Sequence, residues 1–267
     1  PSRAGLLTGR YQQRFGHEFN VPPVYRENAG LPLGETLVPE ILRTTGYRTI
    51  AIGKWHLSNT THGSFLGPNV AGWSHFAGSV PNPGNYVPWN RTVNGVSATC
   101  HVYMTTQNVD DALAWIRSVP EPWVCYLSFF SPHRPLHAPP ESLHSQNLSG
   151  LNPQQNPIPF FHAMVEAMDS EIGRLITTLG PSVMARTNVM FLGDNGTDWV
   201  VTQPPFVVQH GKGTIYEGGI NVPLIVSGPA VGAPGREESA LVGVVDLFST
   251  VATLCGVDVM PPFVRTD

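Results

Sequence analysis

Three short segments place chemistry directly after apolar runs: Gly53-Lys54-Trp55-His56, Ser131-Pro132-His133-Arg134-Pro135 and Gly193-Asp194-Asn195-Gly196. Lys54 and His56 stand two apart, and in an extended chain such residues share a side. A cation and an imidazole can then face one cleft, although an isolated lysine is ordinarily a solvated surface residue. Two prolines bracket His133, and their fixed φ pre-positions its ring. The plainer alternative is a loop histidine bonded to a backbone carbonyl, the reading preferred for His137, His144 and His162. Asp194 and Asn195 offer adjacent carboxylate and amide oxygens, the donors that Ca²⁺ and Mg²⁺ take. Asp-Asn-Gly is also a strong turn sequence, and two oxygens do not complete a calcium shell.

A fourth segment, His210 to Gly219, carries Lys212, which with Lys54 makes up the whole lysine content of the 267 residues. It does not match a phosphate-binding P-loop, which needs a longer spacing and a Ser or Thr after the Lys. Its glycines still permit a close backbone approach to an anion. Cations, an imidazole and hard-metal oxygens together suit a tetrahedral oxyanion ester, sulfate or phosphate.

The elements that must position these residues alternate. Helical patterns cover 35–45, 107–118, 160–179 (stopped by Gly180-Pro181) and about 245–255. Strand-like apolar runs cover 47–52, 123–130, 187–193 and about 222–227. Continuous apolar strands alternating with helices predict an α/β fold, a mostly parallel sheet sandwiched by helices. In such folds ligands lie outside the carboxyl ends of the strands, so Lys54, His56, His133, Asp194 and Asn195 are expected at one sheet edge. Residues 58–97, rich in Gly, Pro, Asn and Ser, read as a long excursion with little regular structure.

Composition bounds the rest. Charged residues are 13% and net charge is −4, which argues against a nucleic-acid partner. No stretch is apolar enough to span a membrane. Cys100, Cys125 and Cys255 lack a metal-ligand spacing, and an odd count gives no disulfide framework, though one bridge with Cys100 stays open. Asn59, Asn90 and Asn147 begin glycosylation sequons that lean slightly toward a secretory route. The first residue is Pro1 and the last Thr-Asp carries no cap, so both ends read as truncations.

The opening Pro1-Ser2-Arg3-Ala4-Gly5-Leu6-Leu7-Thr8-Gly9-Arg10 resembles the end of the type I sulfatase signature, (Cys or Ser)-x-Pro-Ser-Arg-x-x-Leu-x-Thr-Gly-Arg. The segments around Lys54, His133, Asp194 and Lys212, with Glu217-Gly218-Gly219, recur in that family in the same order. The resemblance implies an alkaline-phosphatase-like fold and a sulfuric ester hydrolase, with residues 1–267 as a catalytic domain truncated at both ends. It also implies a Cys or Ser two residues before the Pro, oxidised by a formylglycine-generating enzyme to the nucleophilic formylglycine. By position, Arg3 would hold the formylglycine diol and His56 would orient it. Lys54 and Lys212 would grip sulfate oxygens. His133 would contact the sulfate and leaving-group oxygens, as an acid. Asp194 and Asn195 would ligate Ca²⁺, with Mg²⁺ as the alternative ion. A sulfated small molecule or glycan is the implied substrate, and the family habit places the protein in the secretory pathway, lysosome, extracellular space or periplasm. The formylglycine position and the family's Asp-Asp metal pair are not in these residues, so this polypeptide alone is expected to be inactive. The rival readings are a phosphoester or phosphonate hydrolase of the same superfold and a non-catalytic relative that binds sulfated glycans.

Overall fold

The computed structural model describes residues 1–21 and 30–257, so residues 258–267 of the expected domain lie outside it. The chain forms two compact units, Pro1–Phe130 with the segment from Ala240 onward, and Ser131–Ser239.

In the first unit the β-branched run ending at Gly53 forms β1 (Arg48–Lys54). It lies inside a five-stranded sheet with β2 (His75–Ser79), β3 (Trp89–Val93), β4 (Val96–Cys100) and β5 (Trp123–Ser128), in the order β4-β3-β2-β1-β5. β1 pairs in parallel with both β2 and β5, while β3 and β4 add on as antiparallel neighbours. The sheet is therefore mixed, with a parallel core.

Its helices are α1 (Ser2–Thr8), α2 (Val38–Arg43), the single turn α3 (Gly67–Val70) and α4 (Met104–Ser118). The expected face of α4 is buried, with Val109, Leu113 and Ile116 turned inward. Ala51 packs with Ala4 and Leu7 of α1 and with Trp55 and Phe76. Ile50 and Ile52, alternating with it, point to the opposite face.

Residues 58–97 are more regular than expected, for they hold β2 and β3. Val93 pairs with Val96 across Asn94-Gly95, whose φ angles are 45° and 87°. Two positive φ values suit the two-residue hairpin that Asn-Gly favours. The strands escape notice because Val96, Ser97, Ala98 and Thr99 are exposed, so no buried alternation marks them.

The second unit holds α5 (Pro157–Met184), β6 (Val189–Leu192), the short α6 (Glu217–Ile220) and β7 (Leu224–Ser227). Gly180 breaks α5 at φ 78°, but a further turn follows through Pro181, so the predicted stop is a kink. β6 pairs antiparallel with β7 in a separate two-stranded sheet. The expectation that every site segment leaves one sheet is thus not what the pairing shows. Local pattern identifies a strand, whereas its partner is a long-range choice. α7 (Asp246–Leu254) returns to the first unit, where Phe248 and Ala252 pack against Val38, Ile41 and Leu42 of α2. The three cysteines are free thiols. Among the described residues no helix is long and apolar enough to cross a membrane.

Candidate functional site

The first unit brings Arg3, Lys54 and His56 together. Gly53, one residue before the end of β1, has φ 89°, and a Cβ there would stand 2.1 Å from the carbonyl oxygen of Ser128. Its partner in register, Gly78, is equally confined, its would-be Cβ 2.0 Å from the oxygen of Gly53. The pair lets β1, β2 and β5 close together just where Lys54 emerges. Beyond it the chain still alternates: Lys54 and His56 are half-buried while Trp55 and Leu57 are fully buried. The amides of Trp55 and His56 donate to the carbonyls of Ser79 and Val80. This extends the ladder and puts Lys54 and His56 on a shared side, as the two-residue spacing predicts.

Arg3, on α1, is 9% exposed, and its Nη1 donates to the carbonyls of Lys54 (3.3 Å) and Trp55 (3.1 Å). Lys54 Nζ lies 5.1 Å from the centroid of Phe130. His56 adopts φ 50°, a left-handed conformation uncommon outside glycine and costing of order 1 kcal/mol. Its Nε2 bonds the Val21 carbonyl at 2.8 Å. A carbonyl only accepts, so Nε2 carries the hydrogen and Nδ1 the lone pair of the neutral ring. Burial, then the Lys54 charge, then Arg3 and the chain's terminal amine bring the His56 pKa down to about 4, partly opposed by the Val21 bond. The imidazole is therefore neutral above pH 5.

His17 is a residue that sequence reasoning missed. It is 3% exposed, and its pKa is likewise brought down to about 4, by burial and then by the terminal amine and Arg3, against a backbone bond to Gly30. Nothing in its spacing marks it. Its place shortly after the opening motif is the sole signal.

The second unit holds His133, Asp194, Asn195 and Lys212. The Asp194 loop and the glycine-rich segment lie against each other: the Lys212 amide donates to the Thr197 carbonyl at 2.8 Å and the Gly196 amide to Gly219 at 2.9 Å. A Cβ on Gly196 would stand 2.0 Å from the Gly218 oxygen, and one on Gly211 2.5 Å from the Thr197 oxygen. These glycines thus serve loop-on-loop packing. Asp194 is exposed and its carboxylate makes no hydrogen bond or ion pair among the described residues. Asn195 donates from Nδ2 to the Gly196 carbonyl at 2.9 Å, which leaves Oδ1 open there. Two adjacent uncommitted oxygens fit a hard cation. Among the described residues no group of three His, Cys, Asp or Glu side chains converges on a metal position.

His133 Nδ1 bonds the Arg134 carbonyl at 2.8 Å, so Nε2 carries the lone pair when the ring is neutral. Arg134 forms a two-point pair with Asp198, its Nε at 2.8 Å from Oδ2 and its Nη2 on Oδ1. Burial raises the Asp198 carboxyl, but bonds from Arg134 and the Val200 amide, with the charges of Arg134 and Lys212, hold it below the usual carboxylate range. This pair was not read from the sequence, where the two residues stand 64 apart. His137 bonds the Pro135 carbonyl, as expected for a loop histidine. His162 instead meets Gln203, and neither ring nitrogen of His144 has a partner among the described residues.

Comparison with known proteins adds family to geometry. The Sulfatase family model matches residues 1–257. Arylsulfatase A of Homo sapiens is 30% identical over 280 residues, 96% of this chain and 54% of that protein. Arylsulfatase G of Mus musculus is 29% identical over 315 residues, 98% of this chain and 57% of that protein. The crystal structure of Ps i-CgsB in complex with k-i-k-neocarrahexaose superposes with a TM-score of 0.85 at 27% identity, covering 97% of this chain and 62% of that one. The chain spans about half the length of the curated relatives it matches.

Proposed function

We propose, from the premise that this chain belongs to the Sulfatase family with its alkaline-phosphatase-like fold, that the full-length protein is a formylglycine- and calcium-dependent hydrolase of sulfate esters. Residues 1–267 are read as part of one catalytic domain, a reading supported by a family match that runs through both compact units.

The observation that carries the proposal is the first unit's cluster. Arg3, Lys54 and a neutral His56 gather beside the amino end of the chain, where the residue two before Pro1 is read as the Cys or Ser precursor of formylglycine. The formylglycine would supply the attacking oxygen, and calcium the charge that draws a sulfate oxygen. Arg3 would hold the attacking oxygen of the formylglycine diol; its hydrogen bonds among the described residues go to carbonyls, so no carboxylate there offsets its charge. Lys54 and Lys212 bind sulfate oxygens and offset negative charge that grows during S–O cleavage. His56, neutral at working pH, accepts a proton at Nδ1. His133 donates one to the departing alcohol oxygen when its ring is charged. Asp194 and Asn195 would hold the calcium, together with ligands outside this chain.

A sulfated glycan is the favoured substrate class, supported by the neocarrahexaose complex of the similar structure. Maturation would require a formylglycine-generating enzyme; the three sequons lean toward a secretory route, and the family habit adds the lysosome, extracellular space or periplasm. The test is hydrolysis of matched sulfate and phosphate esters by the full-length protein, with peptide mass spectrometry of the segment preceding Pro1. An aldehyde two residues before Pro1 with sulfate-ester turnover is expected. A residue other than Cys or Ser there would sink the formylglycine reading. Faster phosphate-ester turnover would transfer the protein to the phosphoester hydrolases.

A further inference from the structure

Trp199 stands out in the second unit. It begins the short 3₁₀ turn Trp199–Val201 and is 60% exposed, an uncommon place for so large an aromatic. It is not loose. Asp198 caps the turn by accepting from the Val200 amide at 3.2 Å, and the Thr202 hydroxyl donates to the Asp198 carbonyl at 3.0 Å. The Arg134 guanidinium lies 5.7 Å from the Trp199 ring centroid.

The Asp198 carboxylate accepts three hydrogen bonds, two from Arg134 and one from the Val200 amide, and so holds Arg134 in place. Arg134 uses Nε and Nη2 in that pair, and its Nη1 has no partner among the described residues. The arrangement is a fixed exposed aromatic beside a fixed guanidinium with one open donor. Arg134 adjoins His133 in sequence, and Asp198 feels the Lys212 charge. The platform thus belongs to the segments that carry the expected sulfate contacts.

We infer that Trp199 and Arg134 form a saccharide subsite, in which the indole stacks on the C–H face of a pyranose ring and Arg134 Nη1 donates to a ring substituent, with Asp198 as the positioning residue. A neutral, pre-paired guanidinium–carboxylate suits hydroxyl or ether oxygens better than a second sulfate, because its charge is already compensated. An aryl ring also stacks on an indole, but an aryl ester brings no ring hydroxyl or ether oxygen for Arg134 Nη1, so the open donor is what favours a saccharide. The inference rests on the sulfatase reading and narrows its substrate to sulfated sugars.

The experiment compares full-length wild type with Trp199→Ala and Trp199→Phe. The probes are 4-nitrophenyl sulfate and a panel of oligosaccharides from carrageenan, chondroitin sulfate, heparin and fucoidan. Trp199→Ala is expected to raise KM for the cleaved oligosaccharide about tenfold, the loss of one aromatic stacking contact, with kcat nearly unchanged. Its kcat/KM for 4-nitrophenyl sulfate stays within about twofold, and Trp199→Phe recovers most of the oligosaccharide KM. An equal loss on both probes, or no loss on the oligosaccharide, overturns the subsite. So does a wild type that cleaves 4-nitrophenyl sulfate but none of the panel. A wild type that cleaves no sulfate ester overturns the sulfatase reading first, and the subsite with it.

Discussion

The guanidinium of Arg3 donates to the carbonyl oxygen of Trp55 across 3.1 Å, a side chain from the first helix fastened to the main chain that leaves β1. Truncation removes a buried charge and strands that carbonyl. Arg3→Ala is expected to cost roughly 2–3 kcal/mol in urea unfolding of the full-length protein. The same change should lower kcat for 4-nitrophenyl sulfate by about a hundredfold or more, the scale of losing one transition-state donor. Arg3→Lys should restore part of the stability and little of the rate, because an ammonium cannot span two carbonyls and a reacting oxygen in a fixed fork.

His17 and His56 predict an acid-sensitive fold. Both have folded pKa values near 4, below the unfolded 6.5. The unfolded chain therefore binds protons first, and stability is lost as pH falls from about 6.5 toward 4. The slope should approach about 1.4 kcal/mol per pH unit for each histidine in that window. Denaturant midpoints recorded from pH 7 to pH 4.5 read this directly. His17→Gln should flatten the slope by one histidine's share whatever it does to stability at pH 7.

Gly53 should tolerate no side chain. Its φ of 89° and the Ser128 oxygen 2.1 Å from a would-be Cβ combine strain with overlap against backbone that cannot swing aside. Gly53→Ala is expected to cost at least about 3 kcal/mol or to yield insoluble protein. Gly46, also at positive φ but with nothing within 4 Å, provides the control. Gly46→Ala should lose only about 1–2 kcal/mol, the left-handed penalty without the overlap.

Calcium should raise the thermal midpoint of the full-length protein, and chelation should lower it. A hundredfold excess over Kd adds about 2.7 kcal/mol to stability. Asp194→Ala should abolish the calcium-dependent part of the shift and leave the metal-free midpoint within about 1 °C, since its exposed carboxylate makes no bond within the described residues. An unchanged calcium response in Asp194→Ala would remove Asp194 from the ligand set.

The local elements were legible because they follow local rules. The apolar run ending at Gly53 gives β1, and Val109, Leu113 and Ile116 give the inner face of α4. The shared side of Lys54 and His56 followed from two-residue spacing. What stayed hidden was long-range or masked. Arg134 meets Asp198 across 64 residues, and no local pattern announces a pairing at that distance. His17 is buried by segments folding over it. β3 and β4 were lost because their exposed residues dilute the alternation, although Asn94-Gly95 marked their turn. β6 was visible as a strand, but nothing in its four residues names β7 as its partner.

The facing glycines at 53 and 78 place a second kind of constraint beside the chemical one. A library of single variants sorted for cellular abundance should purge substitutions at both positions while accepting most at Lys54. A library sorted for turnover should purge all three. Repair of a substituted Gly53 would require the β2 and β5 backbones to withdraw together, and no single change supplies that. The location of the lysine along the chain is thereby fixed by two residues that never meet a substrate. Their intolerance should persist even in lineages where catalysis has been abandoned.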